Sequence, residues 1–290
     1  MDTPAFWIIV TGILVAGSCG FIGCFLILRR MAMLGDAISH SVLLGLVVAF
    51  LLTHSTGALP MFIGAVVAGL FTSFVVQSLS EGGVQEDAAI GVTFTALFAL
   101  GVVLLSVYAG RIHLDVEHVL YGEIAYVPWD TLEVGGRYLG PRAVWIVGGV
   151  FLLSLMVVGI WFKEFKICAF DPDLAAAFGI PVGVFHYALM TLVSLTTVAA
   201  FENVGAILSV AMLIAPGATA YLLTDRFERM LALSVAVGAL SAVGGYGLAA
   251  AMDASIAGAM TTVAGLLFAL AFLFSPSHGV VARRWARGRA

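Results

Sequence analysis

The stretch Ala5-Phe-Trp-Ile-Ile-Val-Thr-Gly-Ile-Leu-Val-Ala-Gly-Ser-Cys-Gly-Phe-Ile-Gly-Cys-Phe-Leu-Ile-Leu28 carries no charge and stops at Arg29-Arg30. A helix needs roughly 20 mostly apolar residues to cross a bilayer, and this run satisfies that requirement alone. It is too long for a signal-peptide core, lacks a basic stretch before it and offers no convincing cleavage site, so it reads as a retained span. Eight more such runs follow, at about 31–53, 60–80, 88–109, 143–162, 182–201, 204–223, 230–250 and 256–274. The expected fold is all-α: one polytopic transmembrane helix bundle over residues 1–290 with about nine spans, eight being the alternative.

Composition agrees. Of 290 residues, 62% are hydrophobic and 10% charged, whereas soluble domains carry about 25% charged residues. That balance excludes a water-soluble globule, and disorder needs the opposite one. A net charge of -4 and a pI near 5.8 give no support for nucleic-acid binding, which asks for a basic stripe and a domain pI above about 9. The three cysteines, Cys19, Cys24 and Cys168, sit in or beside apolar runs and read as small buried hydrophobes, not a disulfide framework. The 33 glycines let helix backbones approach closely in lipid. Pro216, inside Ala215-Pro216-Gly217, should kink or break its span.

Lysine and arginine set the expected orientation, because cytoplasmic connections carry the excess. One set of connections holds Arg29, Arg30, Lys163, Lys166, Arg226, Arg229, Arg283, Arg284, Arg287 and Arg289; the other holds only Arg111, Arg137 and Arg142. The N-terminus is therefore expected outside and the C-terminus, with a basic tail over 275–290, inside a cytoplasmic cell membrane. The loop from Glu81 to Asp87 is then cytoplasmic without a basic residue.

Asp36 and His40, in Gly35-Asp-Ala-Ile-Ser-His40, lie one helical turn apart on one face of an apolar run. At about 1.5 Å per residue, Asp36 lies about 9 Å into the membrane from Arg30. An ionisable residue at depth marks a functional site by default. Carboxylate plus imidazole suits a divalent first-row metal, although two ligands make half a site; the alternative is that Asp36 caps its helix and His40 donates to nearby backbone. Ser39 and Glu202 are weaker pathway candidates, and an acid like Glu202 beside a helix start is often a cap. His186 reads as a packed or interfacial histidine, and Asp253 as a solvated turn residue. The 110–142 connection, expected outside, carries His113, Asp115, Glu117, His118, Glu123, Asp130 and Glu133, and reads as a docking surface with a short interfacial helix at about 112–121.

No Gly-x-x-x-x-Gly-Lys-[Ser/Thr] motif occurs, and the only lysines are Lys163 and Lys166, so this chain holds no ATP in a P-loop. A partner would have to supply energy, and the cytoplasmic segment 163–183 offers a contact. Asp171 caps, Pro172 opens the helix, Asp173 adds acid to its first turn, Leu174, Ala175 and Phe178 follow, and Gly179 ends it. So short a helix needs something to pack against: it is either a coupling element gripped by a motor or a simple connection between spans. Thr224-Asp-Arg-Phe-Glu-Arg229 forms the next cytoplasmic turn.

These residues resemble a known family. Arg29-Arg-Met-Ala-Met-Leu-Gly-Asp-Ala-Ile-Ser-His40, Phe170-Asp-Pro-Asp-Leu-Ala-Ala-Ala-Phe-Gly-Ile-Pro181, the run from Val204 to Arg226, and the closing Asp253-Ala-Ser-Ile-Ala-Gly258 and Phe274-Ser-Pro-Ser-His-Gly279 look like the permease subunits of manganese, zinc and iron ATP-binding-cassette importers. One departure is Leu44, where the family often has Pro. The resemblance implies a type II importer fold, similar to the vitamin B12 importer permease but shorter, and a membrane subunit that pairs with a second permease, as a homodimer. It also implies two cytoplasmic ATP-binding subunits and an external metal-binding protein. It places Asp36 and His40 on the translocation pathway and the 171–179 helix at the ATPase, and it favours manganese, then zinc or iron, as the ion. The chain itself would be a transport subunit and no enzyme, with ATP on the partner and no cofactor of its own. Competing readings are a permease for a metal chelate or vitamin B12-like ligand, an ion-coupled secondary transporter, and an intramembrane metalloenzyme; the last lacks a third ligand and a general base.

Overall fold

The computed structural model describes residues 3–55, 57–108, 124–134 and 137–275. The expected interfacial helix at 112–121, with His113, Asp115, Glu117 and His118, lies outside the described residues, as does the basic tail beyond Ser275. The long helices are α1 (Thr3–Leu28), α2 (Leu34–Thr53), α3 (Ala58–Glu81), α4 (Glu86–Tyr108), α5 (Arg142–Ile160), α8 (Val182–Val204), α9 (Ala206–Leu223), α10 (Phe227–Met252) and α11 (Ile256–Phe274). Among the described residues these nine are long and apolar enough to cross a membrane, as the spacing of apolar runs predicts. Two short helices, α6 (Phe162–Phe170) and α7 (Pro172–Ala177), connect α5 to α8. A 3-10 turn over Ile124–Trp129 leads into an antiparallel hairpin of β1 (Thr131–Val134) and β2 (Arg137–Pro141).

α1 is the buried centre. It is apolar on every side, with Val15, Ala16, Cys19, Ile22, Cys24 and Phe25 all fully buried, and such a helix belongs inside a bundle. It packs against α5, α8, α9 and α10, while α11 closes the far side against α9 and α10. A second group, α2, α3 and α4, packs within itself, and α8 touches members of both groups. Two bonds fasten these contacts across helices: Thr72 Oγ1 donates to Ser41 Oγ at 2.7 Å, and Ser194 Oγ of α8 donates to the Val66 carbonyl of α3 at 3.1 Å. Small residues set the spacing. A Cβ on Gly23 would stand 1.8 Å from the Leu213 carbonyl oxygen of α9, so no other residue fits that crossing.

Three features depart from the sequence reading. α9 runs as one helix through Pro216, which is buried and faces Gly20 of α1, so of the kink or break expected there the break does not occur. α6 was not foreseen, because its two lysines and glutamate hide a one-sided aromatic pattern. Phe25, Phe162, Phe165, Phe170, Phe185 and Phe227 form a chain of ring contacts with centroids 5.0 to 6.1 Å apart, and these hold α6 to α1, α8 and α10. Finally, α8 continues to Val204 and only Gly205, with φ of 82°, separates it from α9. A left-handed φ of this kind favours glycine, and the tight joint moves Glu202 from a helix start into the last turn of α8.

Overpacking a tight crossing costs about 1–3 kcal/mol. Gly23→Ala is expected to lower the melting temperature of the purified protein or abolish its folding. Gly149→Ala, where nothing lies within 4 Å of the added methyl, should leave melting unchanged or slightly raised; a fluorescence melt in detergent compares them.

Candidate functional site

A turn between α1 and α2 positions the first site. Met31 N donates to the Leu26 carbonyl and Arg30 N to the Ile27 carbonyl, at 2.9 and 3.1 Å, with Arg30 in the left-handed region at φ 62°. This double bond closes the end of α1 and reverses the chain within a few residues. Asp36 therefore enters in the first turn of α2, where a carboxylate suits the positive end of the helix dipole. It does not cap the helix: no side-chain cap bond exists at the start of α2.

Asp36 Oδ1 stands 3.6 Å from His40 Nε2, with the aspartate side chain 30% and the imidazole 38% exposed. The imidazole lies against two rings of α4. Phe94 stacks on it with centroids 5.6 Å apart, and Phe98 meets it edge-on at 5.9 Å. The two phenylalanines hold the ring so that Nε2 stays over the carboxylate, while both groups remain open on the outer face of α2. Leu44 and Val48 continue that half-open stripe. Among the described residues no three His, Cys, Asp or Glu side chains converge on one point, so among them the pair stands as half a ligand set.

Ser39 does not share the face. It is buried, and its hydroxyl donates to the Asp36 carbonyl at 2.7 Å. Glu202 is exposed at the opposite end of α8 from His186, about 24 Å away at 1.5 Å per residue. Its neighbour Asn203 donates to the Ala199 carbonyl at 2.7 Å; Glu202 thus belongs to neither a helix start nor the Asp36–His40 pair.

At the end of the bundle where α1 stops and α8 begins, Arg29 Nη1 lies 3.0 Å from His186 Nδ1. His186 is buried as expected, but its partner was not legible in the sequence, because the two residues lie far apart in the chain. Burial pushes the Arg29 guanidinium below its ordinary range, while Cys168 and Glu86 pull it back. The Cys168 thiol is pushed up by burial, which leaves it a neutral thiol.

The same end carries α7. Asp171 Oδ1 accepts from Leu174 N at 2.9 Å, Pro172 occupies the first turn, and Asp173 follows it. Gly179, at φ 77°, closes the helix, with Gly179 N donating to the Ala176 carbonyl and Ile180 N to the Ala175 carbonyl. Ala175 is the one fully buried residue of this turn and pins the helix to the bundle, while Leu174 at 46% and Phe178 at 70% exposure present an apolar pair outward. The sequence-level start and stop signals are all realised.

Nine long apolar helices, a half-open carboxylate and imidazole on α2, and a capped helix with an exposed apolar pair at one end describe a polytopic membrane protein. Comparison with known proteins agrees. The ABC 3 transport family model matches residues 1–275. The chain is 57% identical over 278 residues to the manganese transport system membrane protein MntD of Bacillus subtilis, covering 96% of this chain and 94% of that one. It is 44% identical to the zinc transport system membrane protein TroD of Treponema pallidum, over 95% of this chain and 75% of that one. Among solved structures, PsaBC from Streptococcus pneumoniae in complex with Fab superposes with a TM-score of 0.77 at 33% identity, over 98% of this chain and 94% of that one. The chain belongs to the ABC 3 transport family.

Phe94 and Phe98 are site residues that the sequence reading passed over, since apolar residues in a span carry no signal of their own. Phe94→Ala should free the His40 ring. Peptide mapping after diethyl pyrocarbonate treatment is expected to show His40 modified several-fold faster than in the wild type, with the other histidines unchanged.

Proposed function

We propose that this chain is the permease subunit of an importer that moves a divalent transition-metal ion into the cytoplasm, manganese before zinc or iron. The observation that carries this is the Asp36–His40 pair, 3.6 Å apart and half-open on one face of a crossing helix. An oxygen and a nitrogen donor suit a bare first-row cation. A chelate or a vitamin B12-like ligand would instead need a wide apolar vestibule. The manganese and zinc transport named for the relatives supports the same choice.

In this proposal two copies of the chain pair so that each brings one Asp36 and one His40 to the ion. Four donors replace part of its hydration shell, and Phe94 and Phe98 keep each imidazole from swinging away. The site has to be weak enough to release its cargo, which a half-exposed pair satisfies better than a closed cage. An external metal-binding protein delivers the ion at the hairpin end, near Asp130 and Arg142. The N-terminus lies outside and the C-terminus in the cytoplasm, because Arg29, Arg30, Lys163, Lys166, Arg226 and Arg229 gather at the α7 end. There, ATP-binding subunits grip Leu174 and Phe178, hydrolyse ATP, and rock α7 together with α8. The chain itself performs no covalent chemistry.

Two variants test the proposal in proteoliposomes holding this chain with its ATPase and binding protein. Asp36→Ala and His40→Ala are each expected to cut ATP-driven uptake of radioactive manganese by a factor of ten or more, about 1.4 kcal/mol, with the complex still assembled; normal uptake would make the pair structural. Replacing both Leu174 and Phe178 by aspartate is expected to release the ATPase in a pull-down, and a retained ATPase would assign α7 to a plain connection. Asp171→Ala, by loss of a cap worth about 1 kcal/mol, should weaken the same contact, and Asp171→Ser should restore it.

A further inference from the structure

A cavity of about 530 Å³ opens at the α7 end of the bundle. The tips of α1, α3, α4, α6 and α8 line it, with the charged Arg29, Arg30, Glu81 and Glu86 and the imidazole of His186 among its walls. Met31, three residues before α2 begins, and Pro172, the first residue of α7, complete two of its walls. It thus adjoins the turn that leads into α2, the helix that carries Asp36, and the start of the helix proposed to meet the ATPase.

His186 is the unusual member. It is only 7% exposed, its Nδ1 pairs with Arg29, and its Nε2 has no hydrogen-bond partner. A guanidinium has donors and no acceptor, so Nδ1 must accept, and the ring proton then sits on the unpartnered Nε2. Leaving a buried donor unpaired is costly, so this tautomer is maintained at the expense of one hydrogen bond. What it secures is the position of Arg29. A guanidinium does not lose its proton in proteins, and here it shares the chamber with Glu81 and Glu86, the acids among its described lining residues.

These facts bear on a cation leaving the Asp36–His40 pair. Glu86, half-buried, and Glu81, exposed and bonded to Gln77, put two carboxylates at this solvent-open chamber, where they would attract a divalent ion and would equally draw cytoplasmic ions back in. Arg29 and Arg30 cancel that attraction. Arg30 is exposed, with its backbone N–H closing the end of α1, whereas Arg29 is tied across to α8. We propose that Arg29, tethered by His186, is the inner charge barrier of the translocation pathway: it closes the chamber to divalent cations until movement of α7 and α8 separates the two residues. This rests on the permease reading above. It makes Arg29 and His186 positioning residues for directionality, distinct from the ion-binding pair.

The test uses proteoliposomes holding the complete transporter, with trapped calcein reporting manganese entry by quenching. Wild type should show ATP-driven entry and almost none without ATP. Arg29→Gln and His186→Leu are expected to admit manganese without ATP at about ten times the wild-type rate or more, with calcein itself retained. Arg29→Lys keeps the charge, and His186→Gln keeps an acceptor for Arg29, so both should stay sealed. This pattern follows charge and hydrogen bonding, which a purely structural role would not reproduce. Tight Arg29→Gln vesicles, or Arg29→Lys vesicles as leaky as Arg29→Gln, would overturn the barrier. A wild type that moves no metal with ATP would instead overturn the permease reading itself.

Discussion

Inside a bilayer no water is available to satisfy a polar group, so every donor, acceptor and charge must find its partner in the protein. Most of the described span hydroxyls obey this, whereas those of Thr11, Thr93, Thr196, Thr197 and Thr261 are buried without a partner. The bonded hydroxyls mostly turn back onto their own helix, as Ser18 does to the Val15 carbonyl and Ser241 to the Val237 carbonyl. Against that background, a carboxylate and an imidazole left half-open on α2 are an exception that the rest of the bundle is arranged to support. α4 supplies the two rings that steady His40, and the closed turn at Arg30 fixes where Asp36 enters.

Mechanical connection follows from α8. It touches both the group built on α1 and the group of α2, α3 and α4, and its first turns face Arg29 while its length meets α3 through Ser194. α7 precedes it by a few residues. In the proposed mechanism a push on the exposed Leu174–Phe178 pair passes first to α8, which, together with α9 through its contact with α2, joins one helix group to the other. The aromatic chain from Phe162 to Phe227 ties α6 into the same end, so the α5-to-α8 segment acts as one piece.

Much of this was legible in the sequence. Nine apolar runs gave nine helices, because length and hydropathy are the only demands a bilayer makes on a span. The 171–179 helix was readable down to its cap and closing glycine, since those signals are local. Asp36 and His40 stood out because charge in an apolar run needs a reason. Long-range facts were not readable: the pairing of Arg29 with His186, the rings of Phe94 and Phe98 against His40, and the aromatic grip on α6 all join residues from different helices. Glu202 falls in the last turn of α8 because hydropathy alone ends that span short of Val204, and Ser39, next to His40 in sequence, is buried on another face.

Asp36 and His40 are proposed to bind the transported ion directly. Pulsed electron paramagnetic resonance of divalent manganese trapped in the assembled transporter measures this, because a bound imidazole nitrogen couples to the metal's electron spin. Histidine nitrogen coupling in the wild type that disappears in His40→Ala is the predicted result. Manganese retained with the same coupling in His40→Ala, or held in the wild type with no nitrogen coupling, would contradict it.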